Sequence, residues 1–282
     1  MIIRDVREMR QTSERLRLSG KRIGVVPTMG YLHEGHLSLI RIAKMKADVV
    51  ITTLFVNPTQ FGPNEDLSRY PRSFEHDLSL SNSAGTDYLF APEASQMYPT
   101  GYSTYVNAEG ITDVLEGKSR PGHFRGVATV VAKLFNLTKP HVAVFGQKDA
   151  QQVAVIRRMV RDLNFDVELL IAPIVREADG LAMSSRNTYL TPQQRNEAAV
   201  LYRSLKLAEQ RVKLGEHDCK KIIDEMTNLI TSSSSGQIDY VSFADNNSLQ
   251  ELGKLQVRQS VLVSLAVKFG TTRLIDNTVL LV

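Results

Sequence analysis

The segment VVITTLFV at positions 49–56 is apolar or β-branched at every residue. Such a run suits a strand covered on both faces, as in a parallel sheet, rather than one with a wet face. Ile23, Val25 and Val26 form a shorter run bounded by Gly20 and Pro27, and β-type runs recur at 88–90, 141–145 and 167–171. Between them the apolar period becomes helical. Leu37, Ile40, Ile42, Ala43 and Met45 are read as spaced for an apolar helix face, with Lys44 and Lys46 in the last turn. Helical patterns also cover 73–83, 111–115, 127–137 and 149–162. Strands alternating with helices over about 175 residues predict an open, doubly wound α/β sheet.

Past Asn187 the character changes. Thr191 is a candidate N-cap, with Pro192 at the first helical position and Gln194 placed to close a capping box. The helix it opens is predicted to run to Lys213, before Gly215, and a second to cover 219–230. Strands follow at 238–243, 261–269 and 272–275, giving a second, smaller α+β domain. The boundary falls near 173–177, hence domains 1–175 and 176–282.

Composition narrows the function. The 282 residues suffice for two cores. The single cysteine, Cys219, excludes a disulfide framework and fits a reducing, cytoplasmic setting. MIIRDVREMR is charged throughout, unlike a signal peptide, and no run approaches membrane-spanning length. The net charge of +4 is the excess of 34 basic over 30 acidic residues, the basic ones spread along the chain. That surplus suits small anionic substrates, whereas no aromatic-interleaved basic platform for nucleic acid is present.

The chemistry concentrates where predicted strands end. PTMGYLHEGH, at 27–36, runs from a strand through a glycine-bearing loop into a helix. The first turn of such a helix carries unpaired N–H groups and the positive end of the macrodipole, which favours an anion. His33 and His36 fall on one face of that turn and offer ring N–H donors, while Gly35 lets a flat group such as a purine approach the backbone. A metal role is disfavoured, because the histidines are one residue too close for HExxH and Cys219 is remote. NPTQFG places Gln60 on a loop, with a donor and an acceptor for a ligand carrying hydroxyl and carboxylate. In FGQKDAQQ, Gly146 relieves crowding at a strand end, Lys148 supplies mobile charge, and Asp149 can accept from ribose hydroxyls, with Gln152 one turn on. MSSRN brings Ser184, Ser185 and Arg186, two hydroxyls and a guanidinium suited to a polyphosphate. RPGHFR adds Arg120, His123 and Arg125 as weaker candidates for substrate or interface contacts.

These segments, with FVNPTQFGPNEDLSRYPR, DVLEGKSRPGHF and DGLAMSSRN, occur in an order that resembles the pantothenate synthetase family. These are ATP-dependent ligases of the HIGH-motif nucleotidyltransferase superfamily that join pantoate to β-alanine. The resemblance implies a Rossmann-like N-terminal domain, a C-terminal domain acting as a lid, and a homodimer. It implies that His33 and His36 contact ATP phosphates, with Met29 and Gly35 beside the nucleotide. Lys148, Ser184, Ser185 and Arg186 match positions gripping the triphosphate, Gly146 and Asp149 those near the ribose, and Gln60 and Gln152 those holding pantoate. Tyr70, Glu116, Arg120 and His123 lie in matching segments. Mg²⁺ is expected with the nucleotide; the acidic region 74–78 holds Asp77 with His76 beside it, and no protein ligand is assigned. The alternatives are another adenylyltransferase on the same fold and a non-catalytic nucleotide sensor.

Overall fold

A computed structural model describes residues 1–63 and 65–282. The chain divides into two compact units, Met1–Gly146 with Val155–Pro173, and Gln147–Ala154 with Ile174–Val282.

The elements up to residue 172 are β1 (Ile2–Ile3), α1 (Val6–Leu18), β2 (Ile23–Thr28), α2 (Glu34–Lys46), β3 (Val49–Leu54), α3 (Phe74–Ala84), β4 (Tyr88–Phe90), α4 (Ala94–Met97), α5 (Glu116–Ser119), α6 (His123–Thr138), β5 (Val142–Gly146), α7 (Ala150–Asp162) and β6 (Glu168–Ala172). The strands form one sheet in the order β1-β4-β3-β2-β5-β6, with every pairing parallel. From β2 the chain moves outward through β3 and β4, then returns to the other side of β2 as β5. The strand order therefore reverses between β2 and β5, and a ligand crevice is expected at their carboxyl ends. Val25, Val26, Val50, Ile51, Val142 and Val144 are all fully buried, as the continuous apolar runs require.

Pro27 does not end β2, which continues to Thr28. A proline in a central strand normally breaks the ladder, but β5 pairs with β2 only at Gly24 and Val25, so Pro27 lacks an N–H where no partner needs one. The helix expected over 111–115 does not form. Leu115 has a φ of +49° and the backbone turns there, followed only by the four-residue α5. Ile111 and Leu115 are buried, so their spacing reflects a packed turn.

The second unit carries α8 (Pro192–Glu197), α9 (Val200–Lys213), α10 (Cys219–Ser233), β7 (Gln237–Asp245), β8 (Ser260–Phe269) and β9 (Thr272–Leu281). The capping box at Thr191 and Gln194 is present. The single helix expected over 192–213 is instead two. Ala198 and Ala199 have ψ of −20° and −16°, tighter than an α-helix, and this short 3₁₀-like stretch separates α8 from α9. The three strands form an antiparallel sheet in the order β7-β8-β9. Val261, Val263, Leu265 and Val267 pack with Leu201, Leu205, Ile222 and Met226 in this unit's core.

Candidate active site

At the end of β2, Thr28 Oγ1 donates to the Thr53 carbonyl at 2.6 Å. The chain then turns through Gly30 and Tyr31, with φ of +91° and +51°. Tyr31 is not a residue that favours this region, and Asp77 on α3 holds it there. The Tyr31 N–H donates to Asp77 Oδ2 at 2.8 Å and the Leu32 N–H to Oδ1 at 2.6 Å. Both oxygens of this buried carboxylate are engaged by the loop, so Asp77 serves as a brace of the histidine turn. Its partners lie some 45 residues away, and no sequence signal revealed it.

His33 is the N-cap of α2. The Gly35 N–H donates to His33 Nδ1 at 3.2 Å, and the His33 N–H donates to His36 Nδ1 at 3.3 Å. Two imidazoles thus form a reciprocal capping box, a role usually taken by Ser or Thr with Glu or Gln, with ring centroids 4.1 Å apart. Because each Nδ1 accepts, the proton of each neutral ring sits on Nε2. The first-turn amides are therefore not all left open for an anion, since that of Gly35 is spent on the cap; the rings add Nε2–H donors.

Beyond β3, Asn57 caps a 3₁₀ turn, Pro58–Gln60. Gln60 Nε2 donates to Met29 Sδ at 2.9 Å, and its Oε1 accepts from Asn57 Nδ2 at 3.2 Å. The loops after β2 and β3 therefore meet. Asn57 Nδ2 also donates to the Gly126 carbonyl at 3.1 Å, and Oδ1 accepts from Tyr98 Oη at 2.7 Å. Burial pushes the Tyr98 phenol up to about 12. A Cβ on Gly126 would lie 2.3 Å from the Thr59 carbonyl oxygen, so only glycine lets α6 pass this close beneath Gln60.

The RPGHFR segment supports the same loop. His123 Nδ1–H donates to the Gln60 carbonyl at 2.7 Å, and its Nε2 accepts from Arg120 Nη1 at 3.0 Å. Arg120 grips Glu65 through Nη2 and Nε at 2.5 and 3.0 Å. Burial, reinforced by the Arg120 charge, pushes the His123 imidazole down to about 4. Arg125 is exposed and lies over the Tyr105 ring at 4.5 Å. Tyr70 is buried edge-on to Phe61, and Glu116 is buried at the start of α5. The crowding expected at Gly146 is absent: a Cβ there would meet only Leu39, at 4.0 Å.

In the second unit, Lys148 and Asp149 lie on a 3₁₀ turn, Gln147–Asp149, with Lys148 Nζ 3.7 Å from Asp149 Oδ1. Gln152 is half-buried on the first turn of α7. Ser184 caps a second 3₁₀ turn, Ser185–Tyr189, by accepting from the Arg186 N–H at 3.2 Å. Strand β9 packs against both turns, so segments separated by some 35 residues of sequence share one support. Among the described residues no group of three His, Cys, Asp or Glu side chains could hold a metal ion, and no helix is long and apolar enough to cross a membrane.

A parallel sheet whose order reverses beside a histidine-capped helix is consistent with an enzyme of the HIGH-motif nucleotidyltransferase type. The family model described as pantoate-beta-alanine ligase matches residues 1–279. The chain is 56% identical over 277 residues to the pantothenate synthetase of Acetivibrio thermocellus, covering 98% of this chain and 97% of the relative. It is 58% identical over 264 residues to that of Moorella thermoacetica, covering 94% and 93%. The crystal structure of pantothenate synthetase from Thermus thermophilus superposes with a TM-score of 0.92 at 44% identity, covering 98% of each chain. Pantoate-beta-alanine ligase from Francisella tularensis, complexed with beta-gamma ATP and beta-alanine, gives a TM-score of 0.83 at 36% identity, covering 99% of this chain and 97% of that one. The chain belongs to the pantoate–β-alanine ligase family of ATP-dependent ligases.

Proposed function

We propose that this chain joins pantoate to β-alanine, forming pantothenate, AMP and pyrophosphate through a pantoyl adenylate. What carries the reading is the His33–His36 cap beside the strand-order reversal, in a chain matched to the ligase family almost end to end. The pantoate carboxylate, with a pKa of roughly 4, is ionised at neutral pH and needs no base. Its oxygen attacks the α-phosphorus as the bond to pyrophosphate breaks. Catalysis is then alignment plus neutralisation of the departing charge.

His33 and His36 donate to the phosphates, with Met29 and Gly35 beside the nucleotide. Lys148, Ser184, Ser185 and Arg186 take the triphosphate, and Gly146 and Asp149 lie at the ribose. Gln60 and Gln152 hold pantoate; the fixing of the Gln60 amide by Asn57 and of its carbonyl by His123 supports that role. These donors are ammonium, guanidinium, imidazole and hydroxyl groups rather than a carboxylate cage, which fits Mg²⁺ carried in on ATP phosphates. The neutral amine of β-alanine then attacks the acyl carbonyl, the C–O bond to AMP breaks, and the nitrogen loses a proton. The adenylate must be shielded from water, a task we assign to the domain at 176–282. The protein is read as a cytoplasmic homodimer, with buried, unpaired Cys219 in keeping with a reducing setting.

Purified protein given ATP, Mg²⁺ and pantoate is expected to exchange labelled pyrophosphate into ATP, with sustained AMP release once β-alanine is added. Absence of pantoate-dependent exchange would overturn the proposal. His36→Ala is expected to lose about 10²-fold or more in exchange, the scale of a lost transition-state donor; wild-type exchange would refute its role.

A further inference from the structure

Asn277 lies on β9, where no motif marks it, and is 3% exposed. Its side-chain amide is engaged on both sides by a segment some 130 residues earlier. Nδ2 donates to the Gln147 carbonyl at 3.1 Å and to the Lys148 carbonyl at 2.9 Å, while Oδ1 accepts from Gln147 Nε2 at 3.1 Å. Only a primary amide gives two donors and an acceptor in this space. The backbone that carries the Lys148 side chain is thereby fixed to β9.

The neighbouring residue performs a related task for the second segment. Asp276 is buried, and its carboxylate accepts from Arg176 Nη1 at 2.6 Å and Nη2 at 3.0 Å. It also accepts the Asn277 backbone N–H at 2.8 Å, which ties the two residues into one unit. Arg176 donates to the Gly180 carbonyl at 3.0 Å and stacks on Tyr202 at 4.3 Å. Its backbone opposes Ala182 in an antiparallel bridge, and the Met183 N–H donates to the Val175 carbonyl at 3.0 Å. The bridged turn anchored by Arg176 thus leads directly into Ser184, Ser185 and Arg186.

We infer that Asn277, seated by the Asp276–Arg176 pair that also anchors the approach to Ser184, is a positioning residue that holds Lys148 in place for the nucleotide triphosphate. The inference rests on the proposed gripping role of Lys148. A planar clamp fixes direction as well as distance, and misplacement of a charge by about 1 Å can cost about 10²-fold in rate.

The test is a cycle of Asn277→Ala, Lys148→Ala and the double variant, read by pantoate-dependent ATP–pyrophosphate exchange with full kcat and KM determination. Asn277→Ala is expected to lower kcat/KM for ATP by about 10- to 100-fold, and to add little in the Lys148→Ala background, because it acts through Lys148. Effects that multiply in the double variant, or wild-type kinetics for Asn277→Ala, would overturn the inference. Asn277→Asp keeps the shape but turns an oxygen toward two carbonyls, so it should do no better than alanine; retained activity would mean that packing, not donation, matters. Should Asn277→Ala fail to fold, Gln147→Ala, which removes a single link, enters the same cycle. If Lys148→Ala leaves ATP kinetics unchanged, the triphosphate reading falls, and this inference with it; a crippled Lys148→Ala beside an unaffected Asn277→Ala sinks the positioning role alone.

Discussion

His123 makes the stability of the first unit dependent on mild acid. In the folded chain its imidazole is pushed from 6.5 down to about 4, first by burial and then by the Arg120 guanidinium against Nε2. The unfolded chain therefore binds a proton below about pH 6.5 that the folded ring refuses until about pH 4. Stability is lost as pH falls through that window and levels off beneath it. Each pH unit of the gap corresponds to about 1.4 kcal/mol, which gives about 3 kcal/mol, or about 2–3 kcal/mol once partial solvent access to the ring is allowed for. His123→Asn removes the titration while keeping an N–H close to where Nδ1–H meets the Gln60 carbonyl. Urea unfolding from neutral pH to about pH 4 should show the wild type losing about 2–3 kcal/mol more than the variant. The other titrating groups are common to both proteins and cancel. Parallel stability curves would refute the reasoning.

Three further outcomes are expected. Asp77→Ala removes the acceptor of the half-buried Tyr31 N–H and the buried Leu32 N–H, so the melting temperature should fall by the equivalent of about 2–3 kcal/mol and pyrophosphate exchange should drop with it, while Asp77→Asn, retaining one acceptor, should be milder. Gly126→Ala drives a methyl group to 2.3 Å from the Thr59 carbonyl; urea unfolding should register about 1–3 kcal/mol, and the KM for pantoate should rise as Gln60 shifts. Tyr98→Phe removes the phenol that donates to Asn57 Oδ1, costing about 1 kcal/mol by thermal melting, and alkaline absorbance titration should lose one ionisation at about 12.

What could be read from sequence was what repeats locally. The buried strands read at 23–26, 49–56 and 141–145 follow from short apolar runs, although β2 continues past Pro27, and the cap at Thr191 follows from four consecutive residues. The apolar spacing of Ile111 and Leu115 misled because a buried turn can mimic a helical face. The break between α8 and α9 was invisible because alanine, the best helix former, occupies it; a shift of backbone angle rather than a side chain ends the helix. At the candidate site the histidines, lysine, serines and glutamines stood out by residue type. Their supports did not. Asp77, Gly126 and Asn277 matter through contacts 45 to 130 residues away along the chain, and a carboxylate, glycine or amide in isolation carries no trace of such a partner.

The mutual capping of His33 and His36 has a consequence for engineering. Each ring completes the other's setting, so the dyad behaves as a single inherited object and not as two adjustable positions. A library that varies one imidazole while keeping its mate will sample mostly damaged helix starts; joint randomisation of the two codons is the search that respects the architecture.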